Sequence, residues 1–179
     1  MAVTNDDPRT DPPLTAGEVE TSLGFLDYHR DTLMIKVAGL DRAQLAQTLA
    51  PSPMTLAGLV KHLALVEESW FCERLAGRDP AEPWASVDWD ADEDWDWHSA
   101  VDDEPGALVT QWERSVAMAR ACADEALAGE GFDQVTVKPN RRGEHFSMRW
   151  IVTHMIEEYA RHNGHADMLR ESIDGQTGE

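Results

Sequence analysis

Residues Ser147–Ser172 read SMRWIVTHMIEEYARHNGHADMLRES. Ile151, Met155, Tyr159, Ala166 and Leu169 recur there at helical spacing, so the stretch is an amphipathic helix, with Ser147 placed to cap its start. The same segment carries His154, Glu158, His162 and His165. At about 100° per residue these four fall within an arc of roughly 80°. Three imidazoles and a carboxylate on one stripe suit a divalent, zinc-like ion, because neutral imidazole nitrogen and carboxylate oxygen are both ligands for it. One helix rarely closes such a site alone, and His62, on a second helix, is the best candidate for the further ligand. Glu157, one residue along, is turned from the stripe by about 100°. The competing reading is a set of satisfied histidines bonded to backbone or to Glu157 and Asp167.

Working outward, the apolar pattern predicts three more long helices. One begins at Thr15, with Thr15 and Glu18 as a capping box, and carries Val19, Leu23, Leu26, Leu33, Ile35 and Val37 to a stop at Gly39. A short turn capped by Asp41 follows. The second helix is capped by Thr55 and runs to about Leu75 with Leu56, Leu59, Leu63, Val66, Trp70 and Phe71 on its stripe; His62 sits beside that stripe. The third opens at Pro105 and reaches about Leu127. Val135–Val137 alternates briefly, as a strand would. Four amphipathic helices predict an all-α fold, a four-helix bundle, in which sites are built from side chains facing one another across the interior. The expected organisation is a flexible tail over 1–14, a single domain over 15–175 and a short tail over 176–179.

Between the second and third helices, Asp79–Asp103 places Trp84, Trp89, Trp95 and Trp97 among six acidic residues from Asp88 to Asp96, and no Lys or Arg lies between Arg78 and Arg114. It reads as a long acidic, Trp-rich loop, either a solvated loop pinned by its tryptophans or a lid over a pocket. The 179-residue chain has a formal net charge of −19, which repels nucleic acid and anionic membrane surfaces. No apolar run is long enough to span a bilayer, and the acidic start has no secretory pattern, so a cytoplasmic protein is expected. Cys72 and Cys122 form no Cys-x-x-Cys motif and read as buried thiols of a reducing compartment.

The segments LAGLVKHLALVEESWF (56–71) and RWIVTHMIEEYARHNGHADMLRESIDG (149–175) resemble the DinB/YfiT-like superfamily, most closely its actinobacterial branch of mini-circle-type proteins of unknown function. The likeness runs from about Glu18 to Gly175. It implies a four-helix bundle holding a divalent metal on three residues. The histidine of the family's HL dipeptide is matched by His62-Leu63, and the second histidine of its HxxxH-x-G-Q pattern by His162. The first then falls on Glu158, a departure from three histidines that is similar to the mycothiol-dependent maleylpyruvate isomerases, which use His, Glu and His. His165 replaces the glutamine. His165 and His154 are left as outer-sphere groups or alternative ligands.

Three protein ligands leave a coordination position open, as in catalytic rather than structural sites. The donor set is compatible with zinc, and with nickel, iron or manganese. Such an ion can activate water or a thiol. The resemblance favours the thiol: a transferase or isomerase using a low-molecular-weight thiol, here mycothiol, with an electrophile as the second substrate. Arg161 and Arg170 are candidates for holding a carboxylate of either substrate, against the plainer reading of surface or intrahelical ion pairs. The alternatives are a metal-dependent hydrolase, for which no catalytic base stands out, and a non-catalytic metal-binding bundle that uses the tryptophan loop as a recognition surface. A homodimer is expected in any of these cases.

Overall fold

The structure, a computed structural model, describes residues 9–177. Its helices are α1 (Glu18–Val37), α2 (Arg42–Leu45), α3 (Leu56–Glu67), α4 (Trp95–Ser99), α5 (Pro105–Ala128) and α6 (Met148–Asp174). α3 runs on without a break into a π-helical stretch, Glu68–Leu75. The fold is all-α. Among the described residues the only β-pairing is a bridge between Val135 and Ser147, which is what the alternation at Val135–Val137 amounts to. α1 packs on α6, α3 on α5, and α3 reaches across to α6.

The helix starts follow local chemistry. Thr55 accepts a hydrogen bond from the Gly58 amide, and Ser147 accepts one from Trp150. Asp41 and Gln44 form a reciprocal capping box on α2, and Pro105 occupies the first turn of α5. The expected box at Thr15 does not form: α1 begins at Glu18 with Gly17 as its cap and no side-chain bond. The Glu18 carboxylate is instead taken by Arg149, at 2.8 Å, because a tertiary charge partner offers more than the exposed amide of a frayed end. Residues 1–8 and 178–179, parts of the expected tails, lie outside the described residues. Arg9 is held to α1, with its guanidinium 3.0 Å from Thr32 Oγ1 and over the Tyr28 ring.

The core is not purely apolar. Arg30 on α1 donates to both oxygens of Glu67 on α3, at 2.7 and 2.6 Å, and both residues are buried. Tyr159 on α6 donates its hydroxyl to Glu67 at 2.8 Å, and Trp112 on α5 donates its indole N–H to that hydroxyl at 3.0 Å. One carboxylate therefore joins all four long helices. Glu68, the first residue of the π-helical stretch, is also buried and accepts from Ser115 on α5 at 2.6 Å. Two consecutive carboxylates are therefore buried where α3 passes into the π-helical stretch, Glu67 facing α1 and α6 and Glu68 facing α5. Arg170, buried on α6, donates to the Lys36 and Ala38 carbonyls and so closes the C-terminal end of α1. Cys72 and Cys122 are free and buried with their sulfurs 3.3 Å apart; burial pushes the Cys72 thiol well above the usual range, so Cys72 is not a ready nucleophile.

Removing one member of a buried, hydrogen-bonded ion pair strands the other charge. Glu67→Ala is expected to cost about 3–5 kcal/mol and Tyr159→Phe about 1–2 kcal/mol, read from urea unfolding midpoints. Replacing both ions together, as Arg30→Met/Glu67→Leu, is expected to cost less than the sum of the single changes.

Candidate metal centre

His62 is on α3 seven residues past its cap, and Glu158 and His162 are one turn apart on α6. The contact of α3 with α6 brings a ligand-capable atom from each of the three to within 4.8 Å of the others. His162 Nε2 lies 3.4 Å from one Glu158 oxygen, and His154 Nε2 lies 3.4 Å from the other. The carboxylate is thus flanked by imidazoles along its own helix, as the 80° arc requires.

The orientation of His62 comes from the acidic segment. Asp96 on α4 accepts a hydrogen bond from His62 Nδ1 at 2.7 Å and is only 3% exposed. That contact assigns the His62 proton to Nδ1 and leaves Nε2 with a lone pair for a ligand, the usual role of a carboxylate behind a metal-binding histidine. Trp97, the next residue, stacks on the His62 ring with centroids 4.6 Å apart and planes at 26°. Trp97 fits there because α3 has glycine at position 58: a Cβ at Gly58 would lie 2.7 Å from the Trp97 ring. The segment read as one long loop is therefore partly helical. It contains a turn of 3-10 helix at Trp84–Ser86, then α4, then Ala100–Asp102. Tryptophan burial against α3, with Trp84 and Asp96 both buried, overrides the weak local preference of an Asp-rich stretch. Lys61 anchors the segment further, with its ammonium 2.6 Å from Asp103 and 4.2 Å above the Trp95 ring.

The family model for mycothiol-S-transferase matches residues 21–175. The chain belongs to that family. A comparison with curated proteins finds no match. Among solved structures, a conserved protein from Enterococcus faecalis is similar over 90% of this chain and all of its own, with a TM-score of 0.58 at 19% identity. At that identity the likeness speaks to the fold alone.

In this member of the mycothiol-S-transferase family, the remaining histidines surround the trio. His165 Nδ1 is 3.4 Å from His162 Nδ1, so one ring donates to the other and His162 Nε2 is left facing Glu158. His154 is stacked on Trp150 and meets the edge of Trp70. It also approaches Glu157, and His154, Glu157 and Glu158 make a second, more exposed trio of possible ligands on α6 alone. The trio that includes His62 is the better candidate for a metal site. It draws on two helices, it is more buried, and one of its imidazoles already has its outer nitrogen held. The two arginines are placed otherwise. Arg161 pairs with Glu157 on the exposed face, and Arg170 is committed to α1 and Asp174. Asp96 and Trp97 were not among the site residues expected from the sequence. The tryptophan-rich composition of 79–103 flagged the segment, but nothing in it singled out Asp96 from its neighbours.

Burial, with His62 and His165 beside it, pushes His162 down to about 4; burial likewise lowers His154. Both imidazoles are neutral at neutral pH, which is the form a metal takes. The donor set therefore fits a divalent ion held by His62, Glu158 and His162.

The unfolded chain protonates His162 near 6.5, whereas the folded, metal-free protein holds it neutral down to about 4. Between those values the unfolded state binds more protons, so stability falls as pH drops through that window. Urea midpoints of metal-free protein from pH 7 to about 4 are expected to show this loss, and to show less of it in His162→Gln. Asp96→Asn is expected to weaken divalent-metal affinity about 10- to 100-fold in chelator competition, with the helical far-ultraviolet signal unchanged. Gly58→Ala is expected to displace Trp97, raise its solvent quenching and weaken metal affinity in the same assay.

Proposed function

We propose that this protein is a divalent-metal-dependent S-transferase that joins the sulfur of mycothiol to an electrophile. The observation that carries the reading is the convergence of His62, Glu158 and His162 within 4.8 Å, with His62 Nδ1 already held by Asp96, in a chain of the mycothiol-S-transferase family. These three residues would hold the ion, and zinc suits two imidazoles and a carboxylate. A bound ion supplies Lewis acidity that favours the ionised form of a thiol at neutral pH.

The rest is done by the chain. Asp96 fixes the tautomer and the plane of His62. His165 Nδ1 lies 3.4 Å from the outer nitrogen of His162 and limits the turning of that ring. Trp97 packs on His62 on one side, and Trp70 and Trp150 pack around His154 on the other, so aromatic rings hold the imidazoles in place while the site stays open to solvent. In the overall reaction the thiol loses its proton, a sulfur–carbon bond forms, and the bond from that carbon to the leaving group breaks with its electron pair on the leaving group. A role for the tryptophan segment purely as an outward recognition surface is less well supported, since Trp84 is buried and Trp97 lies on His62.

Elemental analysis and a thiol-consumption assay test the reading together. His62→Ala, Glu158→Ala and His162→Ala are each expected to lose the metal and at least 100-fold of mycothiol transfer, as loss of a ligand requires, with helix content kept. Full metal content in all three variants, or no thiol consumption by metal-loaded wild type across a panel of electrophiles, would sink it. Ester cleavage without thiol would point to the hydrolase instead.

A further inference from the structure

A cavity of about 480 Å³ lies against the π-helical continuation of α3 and is walled by Trp70, Trp84 and Trp89. Its floor includes Leu65 and Val66, three and four residues past His62 and so on the same helical stripe. Trp70 and His154 pack edge-to-face with ring centroids 5.0 Å apart, and His154 Nε2 is 3.4 Å from Glu158. The cavity thus begins one helical turn past His62 on α3, and its Trp70 wall reaches His154 on α6.

Its chemistry is selective. Glu73 and Glu93 are its charged lining residues, and no Lys or Arg lines it. Trp95 meets the edges of both Trp84 and Trp89, at 6.2 and 6.5 Å, and so sets their angle. A cation already uses one wall, with the Arg74 guanidinium 5.1 Å from the Trp70 ring centroid, and the Lys61 ammonium sits 4.2 Å from that of Trp95 just outside the lining. The partly exposed indoles of Trp70 and Trp89 can bind a flat ring by stacking, with Trp84 buried behind, and their negative faces favour a positive charge. A neutral ring would gain nothing from the two carboxylates, and an anion would be repelled by them and by a chain carrying −19. Burial raises the Glu73 carboxyl against the pull of Lys138 and Arg74; a poorly hydrated carboxylate gains more from a cationic partner than an exposed one.

We infer that this cavity is the acceptor subsite and that it takes a planar organic cation. The inference rests on the transferase reading for the word acceptor, but the binding step does not. In the transfer it predicts, the thiol proton goes to buffer, a sulfur–carbon bond forms on the cationic ring, and a halide leaves that carbon with its electron pair.

Two probes separate the parts. N-methylacridinium fluorescence, titrated with the full-length protein at about 0.3 M salt to screen loose surface binding, is expected to be quenched, and acridine-9-carboxylate is not. Glu73→Gln/Glu93→Gln is expected to weaken the cation about tenfold, and Trp89→Ala by a similar factor. Asp88→Asn/Asp90→Asn, which removes the same charge from exposed positions outside the lining, is expected to leave affinity unchanged. Equal binding of the anion, unchanged affinity in both lining variants, or an equal loss in the exposed control overturns the site. With mycothiol and metal-loaded protein, 4-chloro-N-methylquinolinium is expected to be a substrate whose KM rises about tenfold in the double glutamine variant. The KM for neutral 1-chloro-2,4-dinitrobenzene is expected to stay the same. Transfer to the neutral halide with no binding of the cation overturns this inference and leaves the transferase reading standing. Cation binding with transfer to neither halide overturns the acceptor role and the transferase reading together.

Discussion

The Glu67 carboxylate is the point at which the four long helices are tied together. It receives Arg30 from α1 and Tyr159 from α6, and Tyr159 in turn receives Trp112 from α5. A buried carboxylate with these donors has only one low-energy arrangement of its neighbours, because any slip of a helix along its axis leaves a charge or a hydroxyl unpaired in a low-dielectric interior. Apolar stripes alone tolerate such slips much better. The network therefore sets the relative register of α3 and α6. Tyr159 is adjacent to Glu158, and Glu67 is five residues past His62. The register that satisfies Glu67 is also the one that brings His62 to Glu158 and His162.

A second constraint comes from the charge of the chain. Most of its surplus acid is exposed, but Asp96 is driven inward because its neighbours are tryptophans that bury against α3. One carboxylate of an acidic run thus acquires a specific partner, His62, while Asp92 and Asp94 stay near the surface. The same segment supplies Trp97 to the candidate metal site and Trp84 and Trp89 to the cavity beyond it. A stretch whose sequence reads as a long acidic loop is held by aromatic area. That area places both the outer partner of a ligand and the wall of a pocket in one connection.

Much of this was legible from residue patterns. The caps at Thr55, Ser147 and Asp41 and the proline at 105 mark helix starts by purely local chemistry, and the structure starts helices there. Glu158 and His162 share a stripe by arithmetic on a single helix, so their pairing with His154 and His165 could be read directly. The start of α1 was misplaced because Glu18 found Arg149, more than a hundred residues away, and no local rule sees such a partner. The helical turns inside 79–103 were missed for the same reason: propensity disfavours them and packing on α3 decides.

What the amino-acid order determined on its own is everything with a short period: the helices, their apolar faces, and the line of imidazole and carboxylate along α6. Those follow from backbone geometry within a few turns. What only the tertiary structure decided is which nitrogen of His62 is free, which of many acidic residues stands behind it, and that Arg30 and Glu67 meet in the core. Each depends on a contact between residues more than thirty positions apart. Such contacts are set by how whole faces pack and by the cost of leaving a buried charge alone, a sum over the molecule that no window of sequence contains.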